Sequence, residues 1–118
     1  MQKVVVYSSG RSFSSYEGVG ITMITHIVLF KLKDPAPEGI IAVRDKLLSM
    51  QGKIEQLRHL EAGADVIRSE RSYDVALLTR FDSLEDLQAY QIHPYHAGEV
   101  IPLMKSLCST IVAVDYES

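Results

Sequence analysis

The chain has 118 residues, 47% of them hydrophobic and 23% charged, with a formal net charge of −3. That is enough for one domain with a single core and leaves no basic footprint for a nucleic-acid backbone. A single cysteine, Cys108, excludes an intramolecular disulfide. With no secretory signal, the expected compartment is the reducing cytoplasm. The longest apolar runs, "IVLF" and "TIVAV", are too short to cross a bilayer, so no membrane partner is expected.

Residues 1–22 combine a short apolar burst, Val4 to Tyr7, with a stretch rich in Ser and Gly. They are expected to be a poorly ordered extension, with the folded domain spanning 23–118; the alternative makes "KVVVY" an extra edge strand. "THIVLFKLKD" alternates with period two and reads as a strand, with His26, Val28, Phe30 and Leu32 on one face and Ile27, Leu29, Lys31 and Lys33 on the other. "DPAPEG" ends it, since prolines cannot continue a ladder. From about Glu38, Ile40, Val43, Leu47, Met50 and Ile54 form the apolar stripe of an amphipathic helix. A strand is expected around Gln56–Gly63, with Gly63 at a bulge or turn.

"SYDVALLTRF" is a second strong strand, placing Tyr73, Val75, Leu77, Thr79 and Phe81 on one face. "DSLEDLQAYQIH" is a helix with Ser83 as N-cap and acids in its first turn. His93-Pro94 breaks it, because proline disfavours the helical conformation in the residue before it. "YHAGEVIPLMKSL" restarts a helix, and "STIVAVDYE" is the last strand. The order β-α-β-β-α-β specifies an α+β, ferredoxin-like antiparallel sheet with its helices on one face. Yet the strands are apolar on both faces. Water cannot be the partner of so large a second patch, so sheet-to-sheet homodimerisation is expected.

The pieces "HIVLFKLKD", "SYDVALLTRFDSLEDLQAYQIHPYH" and "VDYE" together resemble the Dabb family of stress-responsive dimeric α/β-barrel domains, over about residues 24–117. The resemblance implies a dimeric barrel with a central cavity that holds a small hydrophobic or carbonyl ligand. One plant branch of the family is a polyketide cyclase, working by intramolecular aldol condensation through a tyrosine and histidines. Its motifs fall here on His26, Tyr90 and His96, the expected catalytic residues, with no cofactor. His-Pro-x-His also occurs in members with no known activity.

The residues alone leave the chemistry open. A neutral imidazole can take a proton from a carbon acid, and a tyrosine hydroxyl can polarise a carbonyl. That makes His96 a base, Tyr90 an electrophile and His26 a group that orients or shares the proton, in a cyclase-like or isomerase-like reaction. The resemblance to other dimeric barrels adds a monooxygenase-like reaction without a bound cofactor. Equally, imidazole N–H groups can cap carbonyls freed at a helix break, in a non-enzymatic stress or scaffold protein. His93 is expected to serve the corner, while His96 stays open between the two. A metal held by His93, His96 and Glu99 lacks a zinc-like spacing, and none is expected. His59 is expected at the surface, Tyr73 in the core, Met50 and Met104 in ordinary packing, and Cys108 as an inert buried thiol. No P-loop, G-x-G-x-x-G or G-x-S-x-G is present, which removes the basis for nucleotide and serine-hydrolase readings.

Overall fold

The structure, a computed structural model, describes residues 4–8 and 22–118. Strands β1 (Val4–Ser8), β2 (Ile24–Leu32), β3 (His59–Ala64), β4 (Val75–Phe81) and β5 (Cys108–Glu117) form one sheet in the order β1-β3-β4-β2-β5. Every pairing is antiparallel. Helices α1 (Pro37–Leu48), α2 (Leu84–Ile92) and α3 (Ile101–Leu107) lie on one face, and a π-helical turn, His96–Val100, leads into α3. Setting β1 aside, this is the expected ferredoxin-like fold.

Of the segment expected to be an extension, only Val4–Ser8 is described. It pairs with β3 as an edge strand, the alternative weighed for "KVVVY". The rest of residues 1–21 lies outside the described residues.

Period-two alternation sorts β2 between two environments. His26, Val28, Phe30 and Leu32 are buried beneath the helices, packed with Val43 and Leu47 of α1, Leu77 and Phe81 of β4, and Met104 of α3. Ile27, Leu29, Ala76 and Leu78 fall on the opposite face, in register with Val114 and Val112 of β5. No described helix covers that face. Among its residues Leu29 is 36%, Val112 41% and Val114 54% exposed, so the second apolar face is real.

Three boundaries differ from expectation. Helix α1 stops at Leu48, yet Met50 and Ile54 remain buried. Tight turns through Met50 and Lys53, closed at Gly52 with a positive φ of 78°, fold them back onto the core at helix-like spacing. Strand β3 begins only at His59, and its register against β4 runs unbroken through Gly63, so there is no bulge. Strand β4 begins at Val75, not Tyr73. Just before it, the Asp74 N–H donates to the Phe30 carbonyl at 2.8 Å, and the Asp74 carboxylate turns inward to accept the Leu32 N–H at 2.7 Å and Arg68 Nη2 at 2.8 Å. Asp74 is therefore the buried residue, while Tyr73 is half-buried on the uncovered side with Lys31 Nζ 5.3 Å from its ring centre. Asp74→Ala strands a buried N–H and is expected to cost about 2–3 kcal/mol, read as a lower urea midpoint with unchanged slope.

Candidate functional site

The helix break is built as the sequence suggests. The Ser83 hydroxyl accepts the Asp86 N–H at 3.1 Å to start α2. His93 leaves the helical conformation, with ψ at 137°, ahead of Pro94. Its Nδ1 accepts the Tyr95 N–H at 3.0 Å, and its carbonyl accepts the Ala97 N–H at 2.8 Å. His93 is thus the corner residue, and it parts from Tyr90 despite the shared helical spacing. Next, Ile101 N–H reaches back five residues to the His96 carbonyl. This wider turn inserts one residue into the helix, a device often found at functional sites. His96 opens it.

Tyr90, on α2, is wholly buried, its ring 4.8 Å from Phe81, 4.2 Å from His96 and 5.9 Å from His26, centre to centre. The three expected residues His26, Tyr90 and His96 meet at one pocket of about 210 Å³. Its apolar wall includes Phe30, Leu47, Val100, Met104 and Ile111. The pocket lies between sheet and helices. It is not on the uncovered face that would line a barrel formed by two sheets, so the expectation of a site inside the barrel cavity is corrected. The reason is the phase of β2, which turns His26 toward the helices. A larger hollow of about 460 Å³ does lie on the uncovered face, lined by Ile27, Leu29, Tyr73 and Leu78 among others, and holds none of the three residues.

The hydrogen bonds fix the tautomers. His96 Nδ1 lies 3.1 Å from the Gln91 carbonyl, which can only accept, so Nδ1 carries the proton and Nε2 keeps its lone pair. His26 Nδ1 is held by the Asp115 carboxylate, directly opposite it across β2 and β5. Sequence reasoning misses Asp115. Its signal is the pairing register of "VDYE" against "THIV", which no single-strand pattern shows. The Tyr90 hydroxyl is buried and has no hydrogen-bond partner among the described residues. Burial pushes its pKa far above the ordinary tyrosine value, so it is a neutral donor.

Desolvation lowers the His96 pKa below the ordinary 6.5, with further lowering from His26 and His93 and an opposing pull from the Gln91 carbonyl. The neutral, basic form is therefore the one present at pH 7. Among the described residues no group of three His, Cys, Asp or Glu side chains is placed to hold a metal. Cys108 is buried and its thiol pKa is raised, chiefly by desolvation.

A depressed histidine pKa has a fixed sign for stability. From about pH 6.5 downward the unfolded chain takes up a proton that folded His96 resists, so its contribution is complete above that pH and lost as pH falls through the folded value. In an NMR titration, the His96 ring signals are expected to show a midpoint below 6.5, and unfolding midpoints to drop below that pH more in wild type than in His96→Ala.

Comparison with known proteins agrees with this architecture. The family model described as Stress responsive A/B Barrel Domain matches residues 24–118. A stress-response A/B barrel domain-containing protein of Arabidopsis thaliana is 34% identical over 95 residues, which are 80% of this chain but 36% of that protein. The chain thus spans about a third of that relative's length. A dimeric protein of unknown function and ferredoxin-like fold from Bacteroides fragilis superposes with a TM-score of 0.70 at 32% identity, covering 81% of this chain and 96% of that one. An anthrone oxidase-like protein shares the fold alone, with a TM-score of 0.71 at 14% identity, and matches 98% of this chain with 53% of its own. No described helix is long and apolar enough to cross a membrane. Sequence and fold together make this chain a member of the Dabb family, the stress-responsive A/B barrel domains.

Proposed function

We propose that the chain is a cytoplasmic homodimer that binds a small carbonyl compound in the helix-side pocket and performs cofactor-free acid–base chemistry on it. The observation that carries this reading is the convergence of His26, Tyr90 and His96 on one apolar pocket, with a lone pair on His96 and an unpartnered hydroxyl on Tyr90. A group of this kind fits proton abstraction beside a carbonyl. His96 Nε2 takes the proton from the carbon acid, and the C–H electron pair moves into an enolate. The Tyr90 O–H donates to the enolate oxygen. The enolate then regains the proton from His96 at another carbon, as an isomerase would do. Alternatively it attacks a second carbonyl within the same molecule, as a cyclase would do, and the alkoxide so formed takes the proton back from His96. His26, held by Asp115, lines the same pocket and orients the carbonyl compound.

Two substitutions separate this reading from a purely structural corner. Deuterium incorporation into a panel of ketones and β-keto esters in D₂O, followed by NMR, is expected to fall by about 10²–10⁴ in His96→Ala. Tyr90→Phe is expected to lose about 10²–10³ in rate while leaving stability equal or higher, because it removes a buried hydroxyl without a partner. The rival non-enzymatic reading is favoured by the His96–Gln91 bond, a side chain capping a freed carbonyl. Under that reading His96→Ala unfolds the corner, and no compound in the panel exchanges above its blank.

The homodimer is supported by the uncovered apolar face and by the dimeric relative from Bacteroides fragilis. Sedimentation is expected to show a dimer at micromolar concentration. Leu29→Glu, at the register position facing Val112 and Ala76, is expected to yield a folded monomer.

A further inference from the structure

The two edges of the sheet differ. One is β5, ten residues long and paired only with β2 among the described strands, with Ile111, Val112, Val114 and Tyr116 between 40% and 54% exposed. A bare strand of that length and apolarity is a template for another chain. The other edge belongs to β3, and there β1 lies across it, pairing Val4 with Gly63 through Ser8 with His59.

Strand direction links the two edges. Since all pairings are antiparallel, β2 and β3 run one way while β1, β4 and β5 run the other. If two copies stack their uncovered faces about a two-fold axis parallel to the strands, β5 of each copy arrives beside the β3 edge of its partner. Such an axis preserves strand direction, so the incoming β5 is antiparallel to β3, and that pairing closes two open sheets into a barrel without edges. Strand β1 already occupies this edge and already runs in the direction of the incoming strand. Against β1 itself, an incoming β5 would be parallel.

The relatives fit the same geometry. The family match begins at residue 24, and the dimeric Bacteroides fragilis chain is 96% accounted for by 81% of this one, which leaves it little to supply a counterpart of β1. The anthrone oxidase-like chain, whose match extends over nearly all of this one, uses only 53% of its own length to do so.

We propose that β1 is an intrachain stand-in for β5 of a second copy, and that the closed dimer forms by exchanging one for the other. This rests on the homodimer reading above. Strand β1 already pairs five of the six residues of that edge, so β5 lengthens the pairing by at most one residue, and the gain from exchange lies in burying the apolar face. The N-terminal segment then sets the concentration at which the barrel closes.

The test uses the full chain. Alternate residues of an edge strand turn their N–H groups toward the neighbour. The double substitution Val5→Pro/Val6→Pro therefore removes whichever donor faces β3. It is expected to lower the dimer dissociation constant at least tenfold in sedimentation, roughly the net effect of one or two displaced hydrogen bonds. Val6→Cys/Glu61→Cys, at directly opposed positions, ties β1 down when oxidised and is expected to raise that constant at least tenfold, reversibly on reduction. Folded variants that dimerise with the wild-type constant in both experiments would overturn the exchange and leave the dimer standing. If wild type and both variants stay monomeric at every concentration, the dimer reading itself falls and takes the exchange with it.

Discussion

The register of β2 is the constraint on which the rest depends. This strand is paired on both sides, so it is fixed in the interior of the sheet, and successive side chains serve opposite faces. His26 belongs to the pocket under the helices, and its neighbour Ile27 to the face left for a partner. A slip of one residue would exchange the two, burying the isoleucine among the helices and moving the imidazole to the outer face. Several contacts oppose that slip. Asp74 accepts the Leu32 N–H, Asp115 holds the His26 ring, and Met23 and Ser118 exchange backbone hydrogen bonds at the other end.

The corner after α2 is the second organising feature. Tyr90 is anchored by the core on one side and by the His96 ring on the other. Without a break, the helical spacing would set His93 rather than His96 beside Tyr90. Pro94 ends the helix, and the wide turn that follows brings His96 back. The cost is a tyrosine hydroxyl left without a partner among the described residues and an imidazole kept short of protons by desolvation. Under the proposed carbonyl chemistry both arrangements have a use.

Most of the framework is legible in the sequence because it rests on local rules. Alternation marks β2 and β4, the Ser83 cap marks α2, and His93-Pro94 marks the break. The two-faced strands also indicate an uncovered face from their pattern alone. What escapes depends on contacts between distant segments. Met50 and Ile54 mimic a helical stripe because tight turns return them to the core, so periodicity overextends α1. Strand alternation puts Tyr73 in the core, yet Asp74 is the buried one because its carboxylate satisfies a backbone donor 42 residues away. Asp115 needs the register between β2 and β5. The side of the sheet on which the site opens needs the same information, since a barrel cavity and a helix-side pocket use the same residues in opposite phase.

The wide turn at His96–Val100 also bears on how such a protein can change over generations. Ala97, Gly98 and Glu99 within it are exposed, and a methyl group built at Gly98 would meet nothing within 4 Å. These three rim positions are therefore distinct from the buried residues of the same corner, Tyr90 and Val100. Substitutions can accumulate at the rim with the core and the sheet unaffected. Under the proposed carbonyl chemistry, a scaffold arranged this way can change the compound it accepts with its folding stability nearly constant.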